Sequence, residues 1–195
     1  QELGRLGEAE ASYRQAIALK PDYAEAYCNM GNSLNEKADP AAAIDSYKQA
    51  LKIRPDYAEA YYNMGNALND KGDLDATIDS YKQALRIKPD YAEAYNNMGV
   101  ALFDKGDLED SIDSYKQALR IKPDYYETHH NMGHSLYGKG DIEAAIESHN
   151  QALKIKPDHQ ISLGSKFHLQ SHICDWAGLE QDRDLIRLLG TKKEL

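Results

Sequence analysis

In residues 58–70, Tyr61, Met64, Gly65 and Leu68 follow the i, i+3, i+4, i+7 spacing that puts side chains on one face of a helix. After Lys71-Gly72-Asp73 a second stripe begins, made of Leu74, Ile78, Tyr81, Ala84 and Leu85. Two amphipathic helices are therefore predicted, with Gly72 suited to a left-handed turn after the first and Asp73 capping the second. Arg86 and Lys88 fall at the negative end of the second helix, and Pro89 stops it. Asp56 and Glu59 stand three apart before the first helix, as do Asp22/Glu25, Asp90/Glu93 and Asp124/Glu127. That spacing predicts a capping box in which side chain and backbone satisfy each other's unpaired groups.

The pattern recurs. Pro21, Pro55, Pro89, Pro123 and Pro157 stand 34 residues apart, and residues 57–90 and 91–124 are nearly the same text. One such unit is too small to bury its own apolar face, so a tandem repeat implies a stacked all-α array. Gly31, Gly65, Gly99 and Gly133 recur inside helices that glycine weakens, which predicts a close approach where no side chain fits. In the second repeat Ala38 replaces the turn glycine, and Pro40 takes the first helical position. The array is read as a half repeat (1–23) and four full repeats (24–57, 58–91, 92–125, 126–159). Residues 160–195 are read as two capping helices split near Ala177-Gly178, with Phe167 in the place of the packing glycine and Ile161 in that of the capping glutamate.

The period, the aromatic-x2-Met-Gly run, the later Ala and Tyr, and the closing Pro resemble the tetratricopeptide repeat. The resemblance implies a right-handed superhelical solenoid of antiparallel helix pairs. The repeats, and more faintly Cys174-Asp175-Trp176, are also similar to those of O-linked N-acetylglucosamine transferases and related bacterial proteins. This resemblance raises the alternative that the chain recruits substrates for a glycosyltransferase-like enzyme. Nothing in the chain corresponds to a catalytic domain, and no phosphate loop, nucleophile elbow or zinc-protease motif is present. Because the text opens at Gln1 within a repeat, a longer parent polypeptide is expected.

Opposite the buried stripe, the first helix of the third repeat carries Glu59, Tyr62, Asn63, Asn66, Asn69 and Asp70. The family resemblance places this face in a concave groove. Down the repeats it gives one column of Asn29, Asn63, Asn97 and Asn131. A second column holds Asn32, Asn66, Val100 and His134, and a third Asn35, Asn69, Phe103 and Tyr137. A carboxamide has two donor hydrogens and an acceptor oxygen, enough to clamp one peptide unit whatever its side chain. Helices pack roughly 8–10 Å apart and an extended strand advances about 3.3 Å per residue, so one clamp per three ligand residues fits. The resemblance to the transferase arrays implies the same use. The other reading stays open: duplication copies asparagine with its neighbours, and the ladder then bonds only to adjacent helices. On the first reading the chain is an interaction scaffold for an extended peptide segment.

Charge narrows the partner. Lys and Arg number 23 against 32 Asp and Glu, a net of −9, which disfavours nucleic acid. The groove columns carry Glu36, Asp70 and Asp104 with no Lys or Arg in repeats two to five, so neutral or basic segments are expected to bind. No run is apolar enough to span a membrane, and no signal peptide opens the chain. Cys28 and Cys174 stand in no metal or redox spacing, so a reducing, cytoplasmic setting is expected. All seven histidines lie at or after His129. His130 and His134, with His168 one period on, offer three imidazoles for zinc if their helices lie side by side, but no second-shell acid accompanies them, so no metal site is expected. His129 and His149 replace core tyrosines and are expected to be buried and hydrogen-bonded, and no cofactor is expected. The apolar face of Ala9, Tyr13, Ala16 and Ile17 lacks its partner helix, which invites homo-oligomerisation.

Overall fold

A computed structural model describes residues 2–173, with side chains from residue 7 onward. The second expected C-terminal helix and the Cys174-Asp175-Trp176 stretch lie outside the described residues. Ten α-helices and no strand occur among the described residues. They fall into two compact units that divide between Lys105 and Gly106.

The first unit contains α1 (Glu2–Leu19), α2 (Ala24–Glu36), α3 (Pro40–Ile53), α4 (Ala58–Asp70), α5 (Leu74–Ile87) and α6 (Ala92–Lys105). Each helix packs on the next, and α2 and α4, like α4 and α6, also touch. First helices of successive repeats thus lie side by side, with second helices behind them. The second unit contains α7 (Leu108–Ile121), α8 (Tyr126–Lys139), α9 (Ile142–Ile155) and α10 (Gln160–His172), again packed in sequence order.

The predicted stripes are the core. Ile78, Tyr81, Ala84 and Leu85 are buried, as are Tyr47 and Tyr115 at the equivalent positions. The recurrent helical glycine makes room for these rings. A Cβ on Gly31 would lie 2.5 Å from the Tyr47 ring, one on Gly65 2.6 Å from the Tyr81 ring, and one on Gly133 2.7 Å from the His149 ring. The close approach is therefore between the backbone of the first helix and an aromatic side chain of the second. Within the half repeat, Ala9, Tyr13, Ala16 and Ile17 are half-buried.

Turn chemistry follows the sequence with one correction. Gly72, Gly106 and Gly140 have positive φ, and Ala38 takes the same conformation at φ 60°. Asp39, Asp73 and Asp141 cap their helices by accepting from Ala42, Ala76 and Ala144 N–H. The capping boxes before the first helices do not form at α2, α4 and α8. There the N-caps are Tyr23, Tyr57 and Tyr125, without a side-chain cap bond, because Pro-Asp is spent in the preceding turn. Glu25 pairs instead with Arg54 across the repeat. At these junctions the basic residue before proline stands over the tyrosine that opens the next repeat. Arg54 lies over Tyr57 at 4.6 Å, Lys88 over Tyr91 at 4.4 Å and Lys122 over Tyr125 at 4.3 Å.

Candidate functional site

The side-by-side first helices of the first unit bring the asparagine columns together. Asn66, Asn69 and Asn97 line an open cleft of about 270 Å³ with Asp70, Tyr81 and Val100. Three of its six lining residues are carboxamides from the columns marked in the sequence, and its one acidic residue is Asp70.

The carboxamides are also tied to one another. Asn63 Nδ2 donates to Asn32 Oδ1 at 2.9 Å, and the same oxygen accepts from Tyr47 OH at 2.8 Å. One repeat on, Asn97 Nδ2 donates to Asn66 Oδ1 at 3.1 Å, which also accepts from Tyr81 OH at 2.7 Å. Asn97 Nδ2 further donates to Tyr62 OH at 3.1 Å, and Asn97 Oδ1 accepts from Asn96 at 3.0 Å. Burial pushes the Tyr47 and Tyr81 hydroxyls well above their usual range, so both remain donors. Each second-column asparagine thus collects one bond from its own repeat's tyrosine and one from the next repeat's asparagine.

The remaining candidates differ in engagement. Asn35 Nδ2 donates to Asp70 Oδ2 at 3.2 Å. Asn69 is half-buried and its carboxamide has no hydrogen-bond partner among the described residues. Asn29 is exposed, and Asn131, in the second unit, is half-buried and engaged. Tyr62 packs its ring 4.8 Å from Tyr91 and 5.9 Å from Tyr81, and does not itself line the cleft. At the position one repeat before Tyr62 stands Cys28, fully buried, its thiol pushed up by that burial.

In the second unit the positions equivalent to Tyr62, Asn66 and Tyr81 are His130, His134 and His149, and they do meet. One ring nitrogen of each lies within 4.8 Å of the others. His168, the third member expected from the 34-residue period, instead packs beside Tyr137 and His172. His149 is buried as expected, but its Nδ1 has no hydrogen-bond partner, which corrects the expectation of a satisfied core histidine. His129 is half-buried, with Nε2 3.1 Å from the Pro123 carbonyl oxygen and Nδ1 unpartnered. The signal that identifies the trio is its joint departure from a Tyr/Asn/Tyr set that repeat three spells out.

Among the described residues no helix is long and apolar enough to cross a membrane. Family models described as "TPR repeat" match residues 2–37, 39–68, 65–106 and 99–140, and one described as "Tetratricopeptide repeat" matches 126–159. No curated protein matches the chain. Among solved structures the chain is similar to MamA at 26% identity and TM-score 0.75, covering 79% of this chain and 90% of that one. It is similar to YrrB, a TPR protein with an unusual peptide-binding site, at 24% identity and TM-score 0.73 over 85% of each chain. PilF of Pseudomonas aeruginosa shares 17% identity, with TM-score 0.80 over 97% of this chain and 83% of that one, a likeness of fold.

Proposed function

The chain belongs to the tetratricopeptide repeat family, an all-α class of helix-pair solenoids, and from that premise we propose that it is a protein-interaction scaffold binding an extended peptide segment along its asparagine columns. The observation that carries the reading is the cleft lined by Asn66, Asn69 and Asn97. A carboxamide with unused hydrogen-bonding capacity meets the backbone of an extended ligand without regard to its sequence. Asn69 has that capacity entire. Asn63 commits a donor to Asn32 and keeps its oxygen, so it both ties two repeats and reads a ligand. Asp70 at the edge of the cleft, with exposed Glu36 and Asp104, selects neutral or basic segments.

The test uses unstructured fluorescent peptides of unrelated sequence, each in a basic and an acidic version. Asn69→Ala is expected to leave the melting temperature unchanged and weaken binding about two- to tenfold, the loss of one hydrogen bond of roughly 0.5–1.5 kcal/mol. Asn63→Ala with Asn97→Ala is expected to weaken binding by roughly five-fold to over a hundred-fold, similarly for all basic peptides, and to lower the melting temperature as well. Binding of basic peptides should fall as salt rises. Undiminished affinity in both variants, or a preference for acidic peptides, would refute the assignment.

A further inference from the structure

We propose that His130, His134 and His149 form a binding site for zinc or a similar divalent transition-metal ion. His130 and His134 stand one turn apart on α8, with Nε2 atoms 3.2 Å apart. Two nitrogens on one tetrahedral zinc, each about 2.0–2.1 Å from it, lie about 3.3–3.4 Å from one another. The pair is thus at ligand spacing already. His149 reaches in from α9, its ring centroid 5.2 Å from that of His130 and 5.4 Å from that of His134. Its nitrogen lies within 4.8 Å of theirs and must close by up to about 1.5 Å to reach ligand spacing.

Two further observations point to a ligand. First, His149 is 1% exposed and its Nδ1 is unpartnered, whereas Tyr81 at the equivalent position finds Asn66 at 2.7 Å. A buried polar atom without a partner is costly, and a metal bound to that nitrogen would remove the cost. Second, His130 has an orienting partner. Its Nδ1 lies 2.9 Å from Ser162 Oγ, which lies 2.6 Å from His159 Nδ1. With the proton on His130 Nδ1 donated to Ser162, and the serine hydroxyl donated to His159, His130 Nε2 is the acceptor of its hydrogen bond with His134, and both Nε2 lone pairs turn to a metal once the His134 proton sits on Nδ1. Metal-bound histidines habitually have such support on the second nitrogen.

Imidazole donors suit zinc, cobalt, nickel and copper rather than calcium or magnesium. Three protein nitrogens leave the fourth tetrahedral position to water or to a donor carried by a bound ligand, and His130 and His134 are only half-buried.

The test is titration of the chelator-treated chain with zinc chloride by calorimetry, and with cobalt(II) chloride by visible absorption, near neutral pH. The expected result is one ion per chain, a tetrahedral cobalt spectrum and a rise in melting temperature with zinc. The triple variant His130→Tyr, His134→Asn, His149→Tyr installs the set that repeat three already packs, so it is expected to fold and to lose the site. Single His134→Asn and His149→Tyr should bind at least tenfold more weakly, and Ser162→Ala about tenfold. His168→Gln with His172→Gln should bind as the parent does. Absence of saturable binding, an octahedral cobalt spectrum, or equal affinity in parent and His134→Asn would overturn the proposal, and the last keeps it refutable if the triple variant does not fold.

Discussion

Adding one methyl group to Gly65 should change stability in opposite directions depending on the residue at position 81. In an isolated helix, Gly→Ala gains about 1 kcal/mol. Here the new Cβ would lie 2.6 Å from Tyr81 Cε1, 2.8 Å from Cδ1 and 3.1 Å from Cζ. Favourable carbon–carbon contact begins at about 3.5 Å, so the ring must give by nearly 1 Å. It has little room, being 2% exposed and held at its hydroxyl by Asn66 at 2.7 Å. Overpacking of this kind costs about 1–3 kcal/mol, which leaves Gly65→Ala destabilising by roughly 0–2 kcal/mol in the parent. In a Tyr81→Leu background the obstruction is gone, and the same change should stabilise by up to about 1 kcal/mol. The coupling between the sites is then about 1–3 kcal/mol. Urea unfolding of the four proteins, followed by circular dichroism with a common slope, measures it. An equal effect of Gly65→Ala in both backgrounds would show that the ring does not explain the glycine.

Ala38→Gly should raise the melting temperature, because Ala38 occupies φ 60° where its three counterparts are glycine; the gain is about 0.5–1 kcal/mol after glycine's extra chain entropy is counted, and unfolding of the single variant checks it. Acid should weaken the metal-free second unit. His149 and His130 titrate below their ordinary value of 6.5 when folded, so the unfolded chain binds more protons below that value. The groups facing His149 and His130 are His134 on the same helix as His130, and His159 and Ser162 at the start of α10. The contribution is complete above about pH 6.5 and is lost progressively toward pH 3–4. Thermal unfolding of chelator-treated protein should therefore show a steeper fall between about pH 7 and 5 for the parent than for the triple variant with Tyr, Asn and Tyr at 130, 134 and 149.

Most of the fold was legible because the sequence states it several times. Tyr81, Ile78 and Gly65 each recur at a fixed offset, so their helical phase is fixed by repetition rather than by one noisy window. The capping boxes were misread because Asp56 and Glu59 have the right separation at the wrong offset. Proline commits the following aspartate to a turn, so the N-cap falls one residue later, on a tyrosine, and Glu25 is free to reach Arg54. The asparagine columns were legible as positions, but their mutual bonds depend on Tyr47 and Tyr81 hydroxyls that helical phase had assigned to the core. For the same reason the histidine trio was misassembled. Extending the period from His134 gave His168, while the residue that closes the cluster is His149, which burial alone had seemed to explain.

The junctions where a cation covers a tyrosine also decide where a protease can cut. Turns between repeats are exposed, and exposed turns are the usual sites of nicking. Yet at every junction the basic residue is followed by proline: Lys20-Pro21, Arg54-Pro55, Lys88-Pro89, Lys122-Pro123 and Lys156-Pro157. Proline has no backbone N–H and a fixed φ, and an enzyme that cleaves after Lys or Arg handles such an imide poorly. The turns inside the repeats have no such protection, since Lys37, Lys71, Lys105 and Lys139 are exposed and are followed by Ala or Gly. Digestion by a trypsin-like enzyme therefore cuts out of phase with the repeats. It releases pieces that join the second helix of one repeat to the first helix of the next, with the cation-covered tyrosine intact between them.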